Sequence, residues 1–349
     1  MSTPLTNYQI LAAYLSDSEY ADRIPELTRD NITAVGNAIM EYAPARNEFI
    51  NALVNLIGLQ FVSGFNYSNK FASLKGEPIT YGDTIEDIYV DAVPADAYNA
   101  ADDNPHSQKH SDGVTSSRPD IKALFHTIDR ELVYKQTIND NRLRRAFKAE
   151  FGLDGLIQGI FSSMQGSKEL DEYIMTKEMI AANYANATSD AIIPVTNDDN
   201  FAWNALNEIK RLSSDISYAS RKYNKLASMQ FTPKSEQVLV IQKDVKRNID
   251  MNVLAGRPNL ENLQLDIEVI EVDDFNENVN KIFAVILDKR GIRIHDALNT
   301  QESIRNPAAL STNYFLHLWQ LMSFAYFRNV VYFTLVEPEP EPEPEPNQT

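Results

Sequence analysis

The chain has 349 residues, 43% of them hydrophobic, which is enough for two or more packed units with sizeable cores. Its net charge of −17 argues against sequence-specific nucleic-acid recognition, because the phosphates of nucleic acid repel an acidic surface. The absence of cysteine excludes disulfides and thiolate metal sites and is typical of proteins made in a reducing cytoplasm.

Neither a signal peptide nor a membrane span is expected. The first ten residues, MSTPLTNYQI, contain neither a basic region nor an apolar core. The longest apolar stretch, residues 53–62, is interrupted by Asn55, Gly58 and Gln60. It is therefore shorter than the roughly 20 apolar residues that a bilayer-spanning helix needs.

The first 62 residues are predicted to be helical. Ile32, Val35 and Ile39 recur at the spacing of one helix face, after a candidate N-cap at residue 30 or 31. Pro44 interrupts the pattern, and apolar residues resume it from Phe49 onward. The segment is therefore interpreted as two successive helical stretches.

A long hairpin is predicted after Glu77. The stretches PITYGDTIEDIYVDAV and IKALFHTIDRELVYKQTI are rich in β-forming residues, and the intervening segment 94–119 is polar and almost devoid of large apolar residues. Two extended arms with a polar tip are not stable alone, so this interpretation requires a partner surface. The alternative is a surface insertion without a partner.

A helix with an apolar stripe follows the hairpin. Its stripe consists of Leu153, Leu156, Ile157, Ile160, Phe161 and Met164, and apolar residues up to Ile180 extend it. Gly155 and Gly159 lie on or beside this stripe, four residues apart. Because glycine destabilises a helix interior by roughly 1 kcal/mol relative to alanine, we expect close packing against another backbone at these positions.

A second amphipathic helix is predicted from about Phe201 to Met229, after the cap-like sequence NDDN. Its other face is basic. This face is interpreted either as a solvated surface or as a contact with a neighbouring subunit. The basic residues are Lys210, Arg211, Arg221, Lys222 and Lys225.

Strands dominate the remainder of the chain. Residues 238–241 and 282–287 are continuously apolar and predict buried strands, whereas the apolar positions in 249–253 and 263–269 alternate and predict half-buried ones. The sequence DKRG predicts a turn into a strand at 292–294. An aromatic run, NYFLHLWQLMSFAYFRNVVYFTL, closes this region. The final EPEPEPEPEP is expected to form an extended, polyproline-like tail.

No catalytic, cofactor or metal motif is found. His106 and His110 are four residues apart, but they lie in the polar segment without the glutamate of a zinc protease. A phosphate-binding glycine loop, a calcium loop and a nucleophile elbow are all lacking. The acidic pairs at 102–103, 198–199 and 273–274 are expected in loops or helix caps, where adjacent carboxylates rarely converge on a substrate. The sequence therefore predicts no enzyme, no cofactor and no metal site.

The order of these segments resembles the Hong Kong 97-like fold of tailed-phage major capsid proteins. GEPITYGDTIEDIYVDAV resembles the first arm of the extended E-loop of small short-tailed phages, and GLIQGIFSSMQGSKELDEYIMTKEMI resembles the spine helix of the peripheral domain. VLVIQKDVKRNIDMNVLAGRPN and FAVILDKRGIRIHDALN resemble axial-domain strands, and NYFLHLWQLMSFAYFRNVVYF resembles the closing strand. The resemblance covers roughly residues 76–333.

The resemblance implies an α+β fold with an N-terminal arm, an E-loop hairpin, a peripheral domain and an axial domain. The implied boundaries are 1–75 for the arm, 76–140 for the E-loop hairpin, 141–185 for the peripheral domain with its spine helix, 186–280 for the axial domain, 281–336 for closing strands shared by both domains, and 337–349 for the tail. The implied assembly interface consists of Ile79, Tyr81, Ile85, Ile88, Tyr89, Phe125, Tyr134, Gly155 and Gly159.

The resemblance also implies a function. The chain would be a major capsid protein that assembles through pentamers and hexamers into an icosahedral shell around double-stranded DNA. Each E-loop would lie over a neighbouring subunit, and the N-terminal arm would reach a further one. The expected partners are other copies, scaffolding and portal proteins, and packaged DNA touched non-specifically, with no membrane. The location would be the virion capsid, after synthesis in the host bacterial cytoplasm.

Two other functions remain open at this point. An encapsulin-like shell around enzyme cargo would share the fold, and neighbouring genes would distinguish it from a phage protein. An enzyme with an unfamiliar acidic site is the more remote alternative.

Overall fold

The computed structural model describes residues 6–57, 67–80, 84–92, 121–148, 152–256, 266–275 and 281–337. Several sequence predictions lie outside these ranges. They concern Tyr81, the whole polar segment 94–119 with His106 and His110, the alternating positions at 263 and 265, and the Glu-Pro tail beyond Glu337.

The described chain is an α+β protein with seven α-helices and ten strands. The helices are α1 (Asn7–Asp17), α2 (Ile32–Glu41), α3 (Ala43–Ile57), α4 (Asp140–Ala146), α5 (Gly152–Ala182), α6 (Phe201–Asp215) and α7 (Lys243–Gly256). The strands are β1 (Ile85–Val90), β2 (Ile121–His126), β3 (Arg130–Asn139), β4 (Ile192–Thr196), β5 (Gln237–Gln242), β6 (Glu268–Val272), β7 (Ile282–Asp288), β8 (Ile292–Asn306), β9 (Ser311–Phe324) and β10 (Val330–Val336).

A five-stranded mixed sheet in the order β4-β10-β7-β5-β6 forms one core. Strands β4 and β10 are parallel, as are β5 and β6, and β7 is antiparallel to both of its neighbours. All seven residues of β7 are buried, because α6 covers one face of the sheet and the C-terminal half of α5 the other. The buried strands predicted at 238–241 and 282–287 are confirmed.

A three-stranded antiparallel sheet, β3-β9-β8, packs one face against α5. The aromatic run at the end of the chain supplies strands to both sheets. It forms β9 in this sheet, turns at Ala325–Arg328, and returns as β10 in the five-stranded sheet. The predicted turn at DKRG is confirmed as a short 3-10 turn between β7 and β8.

The N-terminal helices fold onto their own chain. Asn7 donates from its side chain to the carbonyl of Ala146 (3.0 Å) and accepts from the backbone N–H of Leu153 (3.2 Å). Phe49 of α3 stacks on Phe147, with ring centroids 5.8 Å apart, at the centre of a buried apolar cluster. The predicted helicity is confirmed for α1, α2 and α3, whereas the stretch between α1 and α2 holds only a short 3-10 turn, and residues 1–5 and 58–62 lie outside the described residues. The reach of this segment to a further subunit stays a prediction.

Two secondary-structure predictions are wrong. The region of Ile249 and Met251 was predicted to be a half-buried strand, but it belongs to helix α7. Helix α6 ends at Asp215 and does not continue to Met229. As a result, Arg221, Lys222 and Lys225 lie beyond the helix, and the predicted continuous basic face does not form.

The prediction of close packing at Gly155 and Gly159 is also wrong within the subunit. Helix α5 confirms the predicted apolar stripe, but a Cβ atom added at either glycine would meet no described atom within 4 Å. Gly155 is exposed and Gly159 is half-buried. Their predicted role in contacts between subunits stays a prediction. None of the described helices is long and apolar enough to cross a bilayer.

The fold leaves no room for a side chain at Gly36. A Cβ there would lie 2.5 Å from Cδ1 of the buried Phe147 ring. We therefore expect Gly36→Ala to lower the free energy of unfolding by about 1–3 kcal/mol, because the stacked ring has little room to move. Denaturant unfolding of the purified chain measures this.

Gly155→Ala is the matched control for that substitution. It replaces glycine by alanine in open space within a helix, so it should raise stability by up to about 1 kcal/mol. Equal effects of the two substitutions would contradict the packing at Gly36.

Candidate assembly surface

Strands β1 and β2 form a two-stranded antiparallel hairpin with two chemically different faces. Ile85 is opposite His126, Ile88 is opposite Ala123, and Val90 is opposite Ile121. Since side chains alternate along a strand, every second residue points to the same side of the hairpin. The inner face lies against the subunit, and the outer face points away from it.

An ion pair fastens the inner face to the three-stranded sheet. The guanidinium of Arg293 in β8 donates from Nη2 to Asp87 Oδ1 (2.8 Å) and from Nε to Asp87 Oδ2 (3.2 Å). The buried His126 places Nε2 3.3 Å from the same carboxylate, and its Nδ1 lies 2.7 Å from the hydroxyl of Ser323. These contacts connect both hairpin strands to β8 and β9.

Contacts with the loop after α6 hold the other end of β1 and β2, at Tyr89 and Lys122. The hydroxyl of Tyr89 donates to the carbonyl of Met229 (2.6 Å), and its ring stacks on Phe327 at 5.5 Å. Lys122 Nζ donates to the carbonyl of Leu226 (3.0 Å). The hairpin base therefore sits in a defined orientation on the subunit.

The electrostatics of Asp87 make this attachment pH-dependent. Burial raises the pKa of the Asp87 carboxyl, but hydrogen bonds and charge from His126 and Arg293 outweigh burial and hold the pKa at about 2. A carboxyl with a depressed folded-state pKa adds stability above its ordinary pKa and loses it as the pH falls through the folded value.

We therefore expect Asp87 to contribute about 2 kcal/mol above pH ~4 and to lose that contribution between pH ~4 and pH ~2. The stability difference between the wild type and Asp87→Asn should shrink over this window. Unfolding measured at a series of pH values checks the expectation. Glu86→Gln, on the exposed side of the same strand, is the control and should show no such convergence. A constant difference for Asp87→Asn would contradict the ion pair.

The outer face of the hairpin carries four apolar side chains that are open to solvent, beside the exposed Glu86. Ile88 is 60% exposed, Val90 52%, Ile121 57% and Phe125 66%. Contiguous exposed apolar side chains of this kind typically mark a surface that another protein covers. We call these four residues the hairpin face.

The three-stranded sheet carries a second group of accessible aromatic and apolar side chains on the side away from α5, bordered by Lys135 and Glu302. Phe315, His317 and Trp319 follow one another along β9 and are half-buried, and Val133 of β3 is 54% exposed beside them. The rings of Phe315 and His317 stack at 6.0 Å. We call these four residues the sheet face.

The segment before the hairpin is held by a buried charge network. Gly76 and Ile79 donate backbone hydrogen bonds to β8, at the carbonyls of Ile294 and Asp296 (2.9 Å each). Lys75 lies 2.8 Å from a carboxylate oxygen of Glu172 in α5 and 3.0 Å from one of Asp296. Burial raises the pKa of Asp296, but hydrogen bonding from Gln320 and nearby lysine charge lower it overall.

The structure divides the sequence-predicted interface residues into groups. Ile88 and Phe125 lie on the hairpin face, whereas Ile85 and Tyr89 lie on the inner face. Ile79 is half-buried beside β8, and Tyr81 lies outside the described residues.

Tyr134 is also engaged within the subunit, since its hydroxyl donates to Asp171 of α5 (2.8 Å). Sequence reasoning missed Val90 and Ile121, although both belong to the alternating apolar pattern of the hairpin strands. The sequence does not show that Val90 and Ile121 are paired across the two strands.

The acidic pairs are dispersed in the described chain. Asp198 and Asp199 are exposed, and Asp273 and Asp274 are both paired with Lys177 of α5 (2.9 and 2.6 Å). Asp102 and Asp103 lie outside the described residues. No group of three or more potential metal ligands occurs among the residues that the structure describes.

Comparisons with known proteins identify relatives along almost the whole chain. The profile of the family described as Phi29-like phage major capsid protein matches residues 13–334. The major capsid protein of Bacillus phage B103 is 29% identical over 94% of this chain and 72% of its own length. That of Streptococcus phage Cp-1 is 27% identical over 92% of each chain.

Solved capsid structures share the fold. The capsid of Staphylococcus phage Andhra matches with a TM-score of 0.60 and 13% identity, over 80% of this chain and 87% of that one. The capsid of cyanophage P-SCSP1u matches with a TM-score of 0.56 and 11% identity, over 80% of this chain and 92% of that one. The Hong Kong 97-like α+β fold is thereby confirmed, and phage relatives favour a phage shell over an encapsulin. The chain belongs to the family of Phi29-like phage major capsid proteins and is a structural component of the virion capsid.

Proposed function

We propose that the hairpin face is a contact through which subunits of the capsid shell bind one another. The exposed apolar hairpin, fixed in orientation by Asp87 and Tyr89, is the observation that carries this proposal. Burying a large apolar side chain contributes about 1.5–3 kcal/mol. Four such residues on a rigid hairpin therefore supply substantial binding energy at each contact.

The proposed partner surface is the sheet face of a neighbouring copy. Both surfaces carry accessible apolar and aromatic side chains and lie on antiparallel strands, and Lys135 and Glu302 border the sheet face. A capsid is built from many copies of its major protein, so the same pair of surfaces would repeat around each capsomer. A contact between two different patches of identical subunits closes into a ring where the rotation between subunits is one fifth or one sixth of a turn, as pentamers and hexamers require.

Disulfide cross-linking tests this contact, because the natural chain has no cysteine. Chains carrying Phe125→Cys are co-assembled with differently tagged chains carrying Val133→Cys. A disulfide needs Cα atoms about 4.4–6.8 Å apart, so only adjacent surfaces become linked. We expect linked pairs that contain one chain of each kind.

Met251→Cys replaces Val133→Cys in the control mixture. Met251 is 63% exposed on α7, outside both proposed surfaces. Equal linking of Phe125→Cys to both partners would contradict the sheet face as the partner. Normal shells in which Phe125→Cys links to neither partner would contradict the hairpin contact.

The same proposal covers the capsomers, the partners and the place of synthesis. Pentamers and hexamers would form an icosahedral shell, with scaffolding and portal proteins as partners and packaged double-stranded DNA in non-specific contact with the inner wall. Synthesis would take place in the host cytoplasm. The net charge of −17 supports weak contact with DNA, since it prevents tight binding of phosphates.

We further infer that the role in the shell involves no catalysis. The described acidic pairs are either exposed or bound to Lys177, which leaves them without a common substrate position. The relatives are named as capsid proteins, which supports a structural role.

A further inference from the structure

The N-terminal helices border a cleft of about 710 Å³. The cleft lies between the first turns of α1 and α2 and the residues that follow α4. Its volume falls within the roughly 300–1,000 Å³ that is typical of binding pockets. We call it the N-terminal cleft. The lining side chains that decide its chemistry are Tyr8, Arg29, Ile32, Phe147 and Lys148.

Part of the lining is apolar. Tyr8 and Ile32 are half-buried, and the buried Phe147 also borders the cleft. The guanidinium carbon of Arg29 lies 5.9 Å from the centroid of the Tyr8 ring, so the cation and the ring lie together in one surface. Accessible aromatic side chains of this kind bind proline rings in the grooves of proteins that recognise proline-rich segments.

The charged part of the lining is positive on balance. Arg29 and Lys148 are exposed, and neither forms an ion pair with a carboxylate in the described part of the chain. Asp30 contributes one negative charge to the lining. Arg142 and Arg145 of α4 add two exposed cations, again without a described ion-pair partner. In a chain with a net charge of −17, this uncompensated positive charge favours an acidic partner.

The Glu-Pro repeat combines the two kinds of group that this lining fits. Residues 337–346 alternate five glutamates with five prolines. The glutamates can supply carboxylates for Arg29 and Lys148, and the prolines can supply apolar rings for Tyr8 and Ile32. A polyproline-like segment is already extended before it binds, so it loses little conformational entropy in a groove.

The repeat leaves its own subunit at a distance from its own cleft. Asn7 lines the cleft and accepts from the backbone N–H of Leu153, at the start of α5 (3.2 Å). Tyr332 of β10, shortly before the repeat, donates to the carbonyl of Ile180 near the other end of that helix (2.9 Å). These two points of α5 are about 40 Å apart, at about 1.5 Å per residue. Beyond Glu337 the repeat spans about 28 Å as a polyproline helix, so the cleft of another copy is the better match.

We propose that the Glu-Pro repeat of one copy binds the N-terminal cleft of a neighbouring copy in the shell. Packaged DNA would also meet the cations, but its phosphates would leave Tyr8 and Ile32 without a partner. The lining therefore favours a segment that carries both carboxylates and apolar rings. The contact involves neither the hairpin face nor the sheet face, so it is tested separately from the proposed hairpin contact.

Fluorescence anisotropy of labelled peptides tests the cleft on the purified, unassembled full chain. One peptide has five Glu-Pro repeats, a second has five Glu-Ser repeats and keeps only the charge, and a third has five Gln-Pro repeats and keeps only the prolines. We expect saturable binding of the Glu-Pro peptide that weakens with added salt, and weaker binding of the two other peptides. Absence of binding would overturn the proposal. Equal binding of the Glu-Pro and Glu-Ser peptides would also overturn it, because the prolines would then have no role.

Variants of the full chain, each checked for its fold by thermal unfolding, place the peptide in the cleft. Arg29→Gln together with Lys148→Gln should weaken binding roughly 2–30-fold, because two exposed charge pairs are lost. The matched control is Lys234→Gln together with Arg247→Gln, at exposed cations outside the cleft, and it should bind like the wild type. Equal losses in the two double variants would overturn the proposal. A short DNA duplex that binds more tightly than the Glu-Pro peptide, through Arg29 and Lys148, would assign the cleft to packaged DNA instead.

Disulfide cross-linking identifies the copy that supplies the repeat, since the natural chain has no cysteine. Chains carrying Thr33→Cys, at an exposed position in the cleft, are co-assembled with differently tagged chains carrying Glu345→Cys. We expect linked pairs that contain one chain of each kind, and fewer of them when Met251→Cys replaces Thr33→Cys. Normal shells without such an excess would overturn the assignment to a neighbouring copy. A chain that carries both Thr33→Cys and Glu345→Cys and links only to itself would do the same.

Discussion

Replacing Glu172 by alanine is expected to lower the free energy of unfolding by about 3–5 kcal/mol. Glu172 is 1% exposed, and its carboxylate accepts from Asn69 (2.8 Å), Lys75 (2.8 Å) and Gln320 (2.7 Å). In this network Lys75 and Lys168 are balanced by Glu172 and Asp296. Removal of one carboxylate leaves a lysine charge buried without compensation. Denaturant unfolding of the purified chain measures the loss.

Glu178→Ala is the matched control on the same helix. Glu178 is exposed, so its loss should change stability by no more than about 0.5 kcal/mol. Glu172→Gln should lie between the two, because the amide retains an acceptor oxygen but not the charge. A Glu172→Ala variant as stable as the Glu178→Ala control would show that the network contributes nothing to the fold.

Periodicity predicted the buried elements well, where one spacing dominated. The stripe of α5 and the continuous apolar run of β7 left little choice of structure. Helix α7 shows how this reasoning fails. Ile249 and Met251 alternate with polar residues as in a strand, but Val245 and Ile249 also lie four residues apart, and both are buried in the helix. Met251, which the strand prediction placed inside, is 63% exposed. The same residues fit both helical and strand spacing, and packing against β5 and β6 selects the helix.

The sequence pattern failed to predict the end of α6 for a different reason. Helical spacing continues to Leu226. However, the side chain of Ser213 bonds to Gln237 (2.6 Å), and the backbone N–H of Thr232 donates to the carbonyl of Ile216 (2.7 Å). These contacts close a loop after the helix, and serine side chains that bond elsewhere weaken helix propagation. Both contacts depend on residues distant in sequence, which a local pattern does not contain.

The candidate site shows the same limit. Alternation predicted strands in the hairpin, but it did not tell which face meets the subunit. The decisive partners of the inner face come from far along the chain: Arg293 contacts Asp87 across 206 residues, and Met229 contacts Tyr89 across 140. Only the fold reveals that Ile88 and Phe125 point outward while Ile85 and Tyr89 do not.

The double substitution Ile88→Asp and Phe125→Asp is expected to abolish shell assembly while leaving the subunit folded. Both side chains are at least 60% exposed in the subunit, so aspartate is well solvated there. In an assembled contact the same carboxylates would be buried without a partner, at a cost of several kcal/mol each. Because the proposed contact would recur in every subunit, such a loss would prevent the shell from closing. Sedimentation and electron microscopy measure assembly, and circular dichroism and thermal unfolding measure the fold.

Met251→Asp together with Tyr218→Asp is the matched control, since it adds the same charge at exposed apolar or aromatic positions outside the hairpin. If the control assembles and the hairpin variant does not, added charge alone is not the cause. Shells of normal size and yield from the hairpin variant would contradict the hairpin face as a contact. A hairpin variant that fails to assemble and also loses its thermal transition would indicate damage to the subunit, and the milder Phe125→Ser then separates the two effects. Serine removes apolar area without adding charge, so a folded Phe125→Ser chain that assembles more weakly assigns the loss to the contact itself.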